Sequence, residues 1–228
     1  MNDFQVVNMH ASNLLTIDDI FKELEIVRNC RGLLQGPHHQ FDVYGHSDNC
    51  FRTILDISGD PHETVAARLH DVGKVGTRKD LLREDGSVWY REDDLNTPYN
   101  SFPGHEFEGR ALVLEIDSTL FAQFELSQPL IANLVAHHYL PMKQIKAMRE
   151  QTSFEGFQWE LGLLIDGLEK APVTKESIMT LFYADKIAQG ENCSDQIELL
   201  AIRGLILGTP GMSAGAIYGL QQKTYHKK

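Results

Sequence analysis

The pair His70-Asp71 closes an apolar run in "AARLHDVGKVGT", and four other short segments carry side chains of the same kind. His46 lies in "FDVYGHSDN", four residues after Asp42. His105 lies in "FPGHEFEG", His137 and His138 in "LVAHHYLP", and Asp185 in "LFYADKIAQG". Imidazole and carboxylate together suit zinc, iron, nickel, cobalt or manganese, whereas an all-oxygen set would point to calcium or magnesium. Neighbours on a helix point about 100° apart, so His70 and Asp71 reach different sides of one ion, or Asp71 bridges two. Asp185 follows Phe182 and Leu181 by three and four residues, which places it on an apolar face. A carboxylate there needs a cation or hydrogen-bond donors. Plainer roles exist for each residue. Asp42 reads best as the N-cap of the helix that carries His46, and His46 itself can be an exposed helical histidine. His105 can be an ordinary first-turn residue, and Asp185 can pair with Arg203 or a lysine. One of His137 and His138 can face away.

The elements that must position these residues are mostly helical. Ile17, Ile20, Phe21, Leu24 and Val27 recur at helical spacing after Thr16, a candidate N-cap. Asp60-Pro61 with Glu63 reads as cap, first-turn proline and capping-box partner for a helix ending at His70. Further helices are expected from Pro103 to Ile116 and from Ser127 to His138, the latter stopped by Pro141. Others are expected over Glu155–Leu168, Thr174–Gly190 and Ser194–Leu207. "GSVWYRE" carries the best strand signal and reads as a turn or short hairpin. The fold class is therefore all-α, a helical bundle with one irregular insert at 78–102 and a frayed tail after Gly219.

The 228 residues suffice for a full hydrophobic core. The net charge of −11 argues against a general surface for long DNA or RNA. It leaves room for a small phosphorylated substrate, because a bound cation reverses the local potential. No apolar run reaches the roughly 20 residues of a membrane span, so no membrane partner is expected. The N-terminus lacks a secretory pattern. Cys30, Cys50 and Cys193 form no close pair and read as reduced thiols of a cytoplasmic protein.

The order His … His-Asp … His … His … Asp on a helical chain is similar to that of the HD superfamily of metal-dependent phosphohydrolases, named for the adjacent pair. "LLQGPHHQFDVYGHSDN", "AARLHDVGKVGT", "EDGSVWY" and "FPGHEFEGRALVLEI" resemble the HD domain attached to some bacterial CCA-adding tRNA nucleotidyltransferases. The likeness is close from Leu33 to Ile116 and looser to Gly190. The chain shows neither the Gly-Ser start nor the paired Asp-x-Asp of a nucleotidyltransferase. It is therefore expected to be the HD module standing alone. That is one domain over 1–228, with a core of about 33–190, an N-terminal helix and a C-terminal helical extension.

The resemblance implies His46, His70, Asp71 and Asp185 as core metal ligands. His105 and one or both of His137 and His138 would complete a second position. One or two divalent ions are implied, manganese, cobalt, nickel, iron or zinc, with magnesium a further option. The longer ligand set favours two. The reaction implied is attack by a metal-activated water, with Asp71 as ligand and orienting group. Lys74, one turn from His70-Asp71, can present a cation to the same phosphate, or be a solvated helix-end lysine. Arg110 is a second candidate for substrate binding. Gly73 and Gly76 let the helix end and the chain pass close to the site. The expected substrate is a small nucleotide-type molecule, a cyclic phosphodiester or phosphomonoester. Nucleoside mono- or triphosphates and dinucleotides come next. Trp89, Tyr90 and Tyr99 of the insert can cover the site, stack a base, or form a small core of their own. Some HD-fold proteins hold two irons with a similar ligand set and oxidise small organic substrates, which is the alternative activity. A non-enzymatic metal or nucleotide sensor would be expected only if a ligand were missing. The apolar final segment can pack on the domain or form a homodimer surface.

Overall fold

A computed structural model describes residues 13–37, 39–190 and 195–226. Helices dominate, as expected. Residues 13–21 form α1, followed by α2 (Glu25–Arg28), α3 (Val43–Ile57), α4 (Pro61–Leu69) and α5 (Lys74–Thr77). The insert comes next, then α6 (His105–Glu115), α7 (Ser118–Ala122), α8 (Gln128–His137), α9 (Leu140–Arg149), α10 (Phe154–Lys170), α11 (Lys175–Ile187), α12 (Gln196–Ile206) and α13 (Ala214–Tyr225). Within the insert, β1 (Lys79–Asp80) pairs antiparallel with β2 (Asn100–Ser101), and bridges join Leu82 to Val88 and Tyr90 to Pro98.

At the centre lies α4, packed against α3, α8 and α11. Every residue from Glu63 to Leu69 is buried, and the small side chains of Ala66 and Ala67 let its neighbours approach closely. The start of α4 is built as its sequence implies. The Asp60 carboxylate accepts from the amides of His62 and Glu63, and Pro61 occupies the first turn. Glu63 does not close a capping box, however; its carboxylate accepts from the Ser58 hydroxyl. Arg68 is 1 % exposed and binds Asp18 of α1 through two bonds of 2.6 and 2.9 Å, with Asp48 of α3 at 2.9 Å. This bidentate pair ties α1 to the central helix.

Several boundaries differ from expectation. Thr16 lies inside α1 and is no cap, and the chain turns at 22–24 before α2. The helix expected from Pro103 begins at His105. Pro141 does not stop α8; it sits in the first turn of α9, where its missing N–H is not required. The tail after Gly219 is not frayed but continues α13 to Tyr225. Cys193 and Ser194 lie outside the described residues, while Cys30 and Cys50 are buried free thiols.

Candidate metal centre

Five elements deliver side chains to one buried place. On α3, Val43, His46, Ser47, Cys50, Phe51 and Ile54 form the buried stripe, so His46 points where the apolar side chains point. Asp42 caps this helix, its carboxylate accepting from the Gly45 amide at 2.7 Å. His70 is the C-cap of α4, and Asp71 begins the turn that follows. His105 opens α6 directly after Gly104, whose φ of 75° turns the chain inward. His138 is the C-cap of α8. Asp185 belongs to the buried stripe of Ile178, Leu181 and Phe182 on α11. The carbonyl ends of α4 and α8 thus both close on the site, which favours positive charge there. Gly73 makes the convergence feasible. A Cβ at this position would lie 2.1 Å from the His105 carbonyl oxygen and 2.4 Å from the Gly109 nitrogen.

The ligand atoms form two triads, His46–His70–Asp185 and Asp71–His105–His138, each within 4.8 Å. His46 Nε2 lies 2.8 Å from Asp185 Oδ1 and 3.3 Å from His70 Nε2. His105 Nε2 lies 3.3 Å from His138 Nε2. Asp71 stands between the triads. Its Oδ2 is 3.2 Å from His70 Nε2 and 3.6 Å from His46 Nε2, and its Oδ1 is 3.4 Å from His105 Nε2 and 3.9 Å from His138 Nε2.

The ring orientations are compatible with a bound cation. His70, His105 and His138 place Nδ1 against the carbonyls of Ala67, Phe102 and Val135 at 2.7–2.8 Å. A carbonyl only accepts, so each Nδ1 carries the proton and each Nε2 presents a lone pair. Two lone pairs facing at 3.3 Å repel unless a cation lies between them. Backbone-anchored Nδ1–H with inward Nε2 is the arrangement of metal-ligating histidines. Nitrogen and carboxylate donors in these numbers fit a divalent transition metal.

Electrostatics agree. Burial disfavours charge on Asp71, yet His70 and Lys74 outweigh it and hold its carboxyl well below the usual range. Burial is likewise overcome at Asp185, by Lys186 and the histidines. Burial pushes His138 down to about 3 and also lowers His105, keeping both neutral. His70 is the exception. Burial opposes its charge, but the two carboxylates lift it to about 10, so without a metal a proton on Nε2 stands where the cation would.

Lys74 is buried, its Nζ donating to Asp71 Oδ2 and Gln35 Oε1 at 2.6 Å each. One of its three N–H donors is left for another group. Other candidates lie elsewhere. His137 is half-buried, with Nδ1 donating to the Asn133 carbonyl, and belongs to neither triad. Arg110 is exposed and leans on Asn133. Asp185 pairs with His46, while Arg203 bonds Thr180. His39 was not anticipated. Its ring meets His46 edge-on at 5.1 Å, and burial pushes its pKa to about 2. Its place within "GPHHQFDVYGH", shortly before the capped helix, was the only signal. Trp89 packs edge-on against Tyr99 and also walls a cavity beside the site, so the insert both covers and has a small core; Tyr90 is exposed.

Comparison with protein families matches the HD domain over residues 43–190, a span holding all of the converging ligands. No curated protein and no solved structure matches the chain. The finer likeness to the module of CCA-adding enzymes therefore rests on the quoted motifs alone.

Proposed function

We propose, from the premise that this chain belongs to the HD-domain family, that it is a phosphohydrolase using one or two divalent transition metals. Its substrate would be a small nucleotide-type phosphodiester or phosphomonoester. The observation that carries this reading is the division of Asp71 between two ligand triads. Bound divalent ions at such a centre neutralise phosphate oxygens and bring the pKa of water near neutrality.

The chain's own residues supply the rest. The anchored Nδ1–H groups lock the ring planes, so the site needs little rearrangement to receive cations. Asp71 fixes the two triads relative to each other and remains ionised. Lys74, braced by Asp71 and Gln35, offers its remaining N–H to a phosphate oxygen. Burial of the whole cluster raises the strength of every one of these interactions.

The test is phosphate or ester release from 2′,3′-cyclic nucleotides, nucleoside mono- and triphosphates and a dinucleoside polyphosphate. Metal-stripped protein would be reloaded with Mn²⁺, Co²⁺, Ni²⁺, Mg²⁺ or Fe²⁺. Metal-dependent turnover of one class supports the reading. Four imidazoles and two carboxylates would also serve two irons. Silence across the panel, with iron retained through purification, would favour the oxygenase reading instead.

A further inference from the structure

His46 differs from the other three histidines of the cluster. His70, His105 and His138 each donate Nδ1–H to a carbonyl three residues back. His46 lies inside α3, where the carbonyls one turn back serve the helix ladder; that of Asp42 accepts from the His46 amide at 2.9 Å. Its Nδ1 is buried and has no hydrogen-bond partner among the described residues. Such an atom is rare in a folded core and calls for a physical reason.

A partner stands beside it. The His39 ring meets the His46 ring edge-on at 5.1 Å between centroids, and its Nδ1 too is buried without a hydrogen-bond partner among the described residues. That separation brings ring nitrogens within reach of each other. His46 and His70, 5.2 Å apart, bring their Nε2 atoms to 3.3 Å, and so do His105 and His138. The loop that carries His39 is pinned on both sides. The His39 amide donates to the Gly36 carbonyl at 3.0 Å, and the Gln40 amide to that of Gln189, just beyond α11, at 3.3 Å. Burial keeps the His39 ring neutral, so one of its two nitrogens is an acceptor.

A cation changes what His46 needs. Without one, its Nε2 lies 2.8 Å from Asp185 Oδ1 and can carry the ring's proton there. With Nε2 turned to a cation, the proton must sit on Nδ1, and that N–H needs an acceptor. We infer that His39 is this acceptor, a positioning residue whose Nδ1 receives the His46 Nδ1–H and fixes that ring for metal. The inference rests on reading the cluster as a metal centre, and adds to it a residue that binds no ion itself.

The experiment measures Zn²⁺ affinity of the metal-stripped full chain by competition with a chromophoric chelator. Three variants separate the two ring nitrogens. His39→Asn keeps an acceptor oxygen near the Nδ1 position, His39→Gln keeps a polar group only near the Nε2 position, and His39→Phe keeps the bulk of the ring alone. His39→Phe and His39→Gln should bind Zn²⁺ about 10–100-fold more weakly, the usual loss when a ligand's hydrogen-bond partner is removed. His39→Asn should stay close to the unaltered chain. A role in packing alone would give the opposite order, because asparagine is the smallest of the three replacements. Equal affinities in the unaltered chain and His39→Phe would overturn the inference, as would His39→Asn binding as weakly as His39→Phe. An unaltered chain that takes up no Zn²⁺ would bring down the metal-centre reading and the inference together. Tight Zn²⁺ binding indifferent to His39 would remove the inference alone.

Discussion

Asp71 Oδ2 faces His70 at 3.2 Å while Oδ1 faces His105 at 3.4 Å, so one side chain serves both triads. Asp71→Asn keeps its shape and removes its charge. Turnover should fall at least about 100-fold, the loss that disturbing even a supporting partner can bring, and bound metal should drop while the circular dichroism stays native. The adjacent histidines allow a sharper contrast. His138→Ala should reduce metal bound per chain, whereas His137→Ala should leave metal content and turnover near those of the unaltered protein. Elemental analysis of both variants decides this. A third expectation concerns protons. Burial disfavours charge on His70, but Asp71 and Asp185 lift its pKa from 6.5 to about 10. In metal-free protein that contribution to stability is complete below pH 6.5 and is lost as pH rises through about 10. At pH 7 the proton must leave when a cation enters, so loading should release close to one proton per chain. Calorimetry in buffers of differing ionisation enthalpy measures it. Most of these candidate ligands were legible from residue type and order. The choice between His137 and His138 was not, because it depends on where α8 ends and which way its last turn faces. The exposure of Arg110 was hidden for a related reason: five residues beyond His105 on α6, its side chain reaches Asn133 at the surface.

Elements are joined here by a few buried polar contacts whose removal should be visible in stability. Arg68, 1 % exposed, holds Asp18 of α1 and Asp48 of α3. Arg68→Met leaves buried carboxylate without its partner and should cost about 3–5 kcal/mol in urea unfolding. At Gly73 an added methyl would strike backbone of α6, so Gly73→Ala should cost about 1–3 kcal/mol. At Gly76 the nearest contact is the Glu108 side chain at 3.3 Å, which can yield, and the same change should cost less. The caps at Asp42, Asp60 and Ser127 could be read directly, since each places a short acceptor before an apolar repeat. α9 could not, because Pro141 reads equally as the end of one helix or the start of the next. α13 escaped notice because its buried positions are few, Ile217 and Gln221, and its apolar signal is weak.

The whole molecule combines an acidic exterior with a cation-lined cavity, and composition alone showed only the first. The insert illustrates the same limit. Its aromatic residues were plain in sequence, but only the pairing of β1 with β2 sets Trp89 beside the site. The histidines meet from α3, α4, α6 and α8, so the metal should hold the bundle together as well as serve chemistry. Stripping it should lower the unfolding temperature, and reloading at about 1,000 times the dissociation constant should restore roughly 4 kcal/mol. The most direct measurement of the central claim follows phosphate release while metal is titrated into stripped protein, with Asp71→Asn alongside. The account predicts no turnover without metal, activity rising with ions bound per chain, and no such rise in Asp71→Asn. Turnover by stripped protein, or an Asp71→Asn variant as active as the unaltered chain, would contradict it.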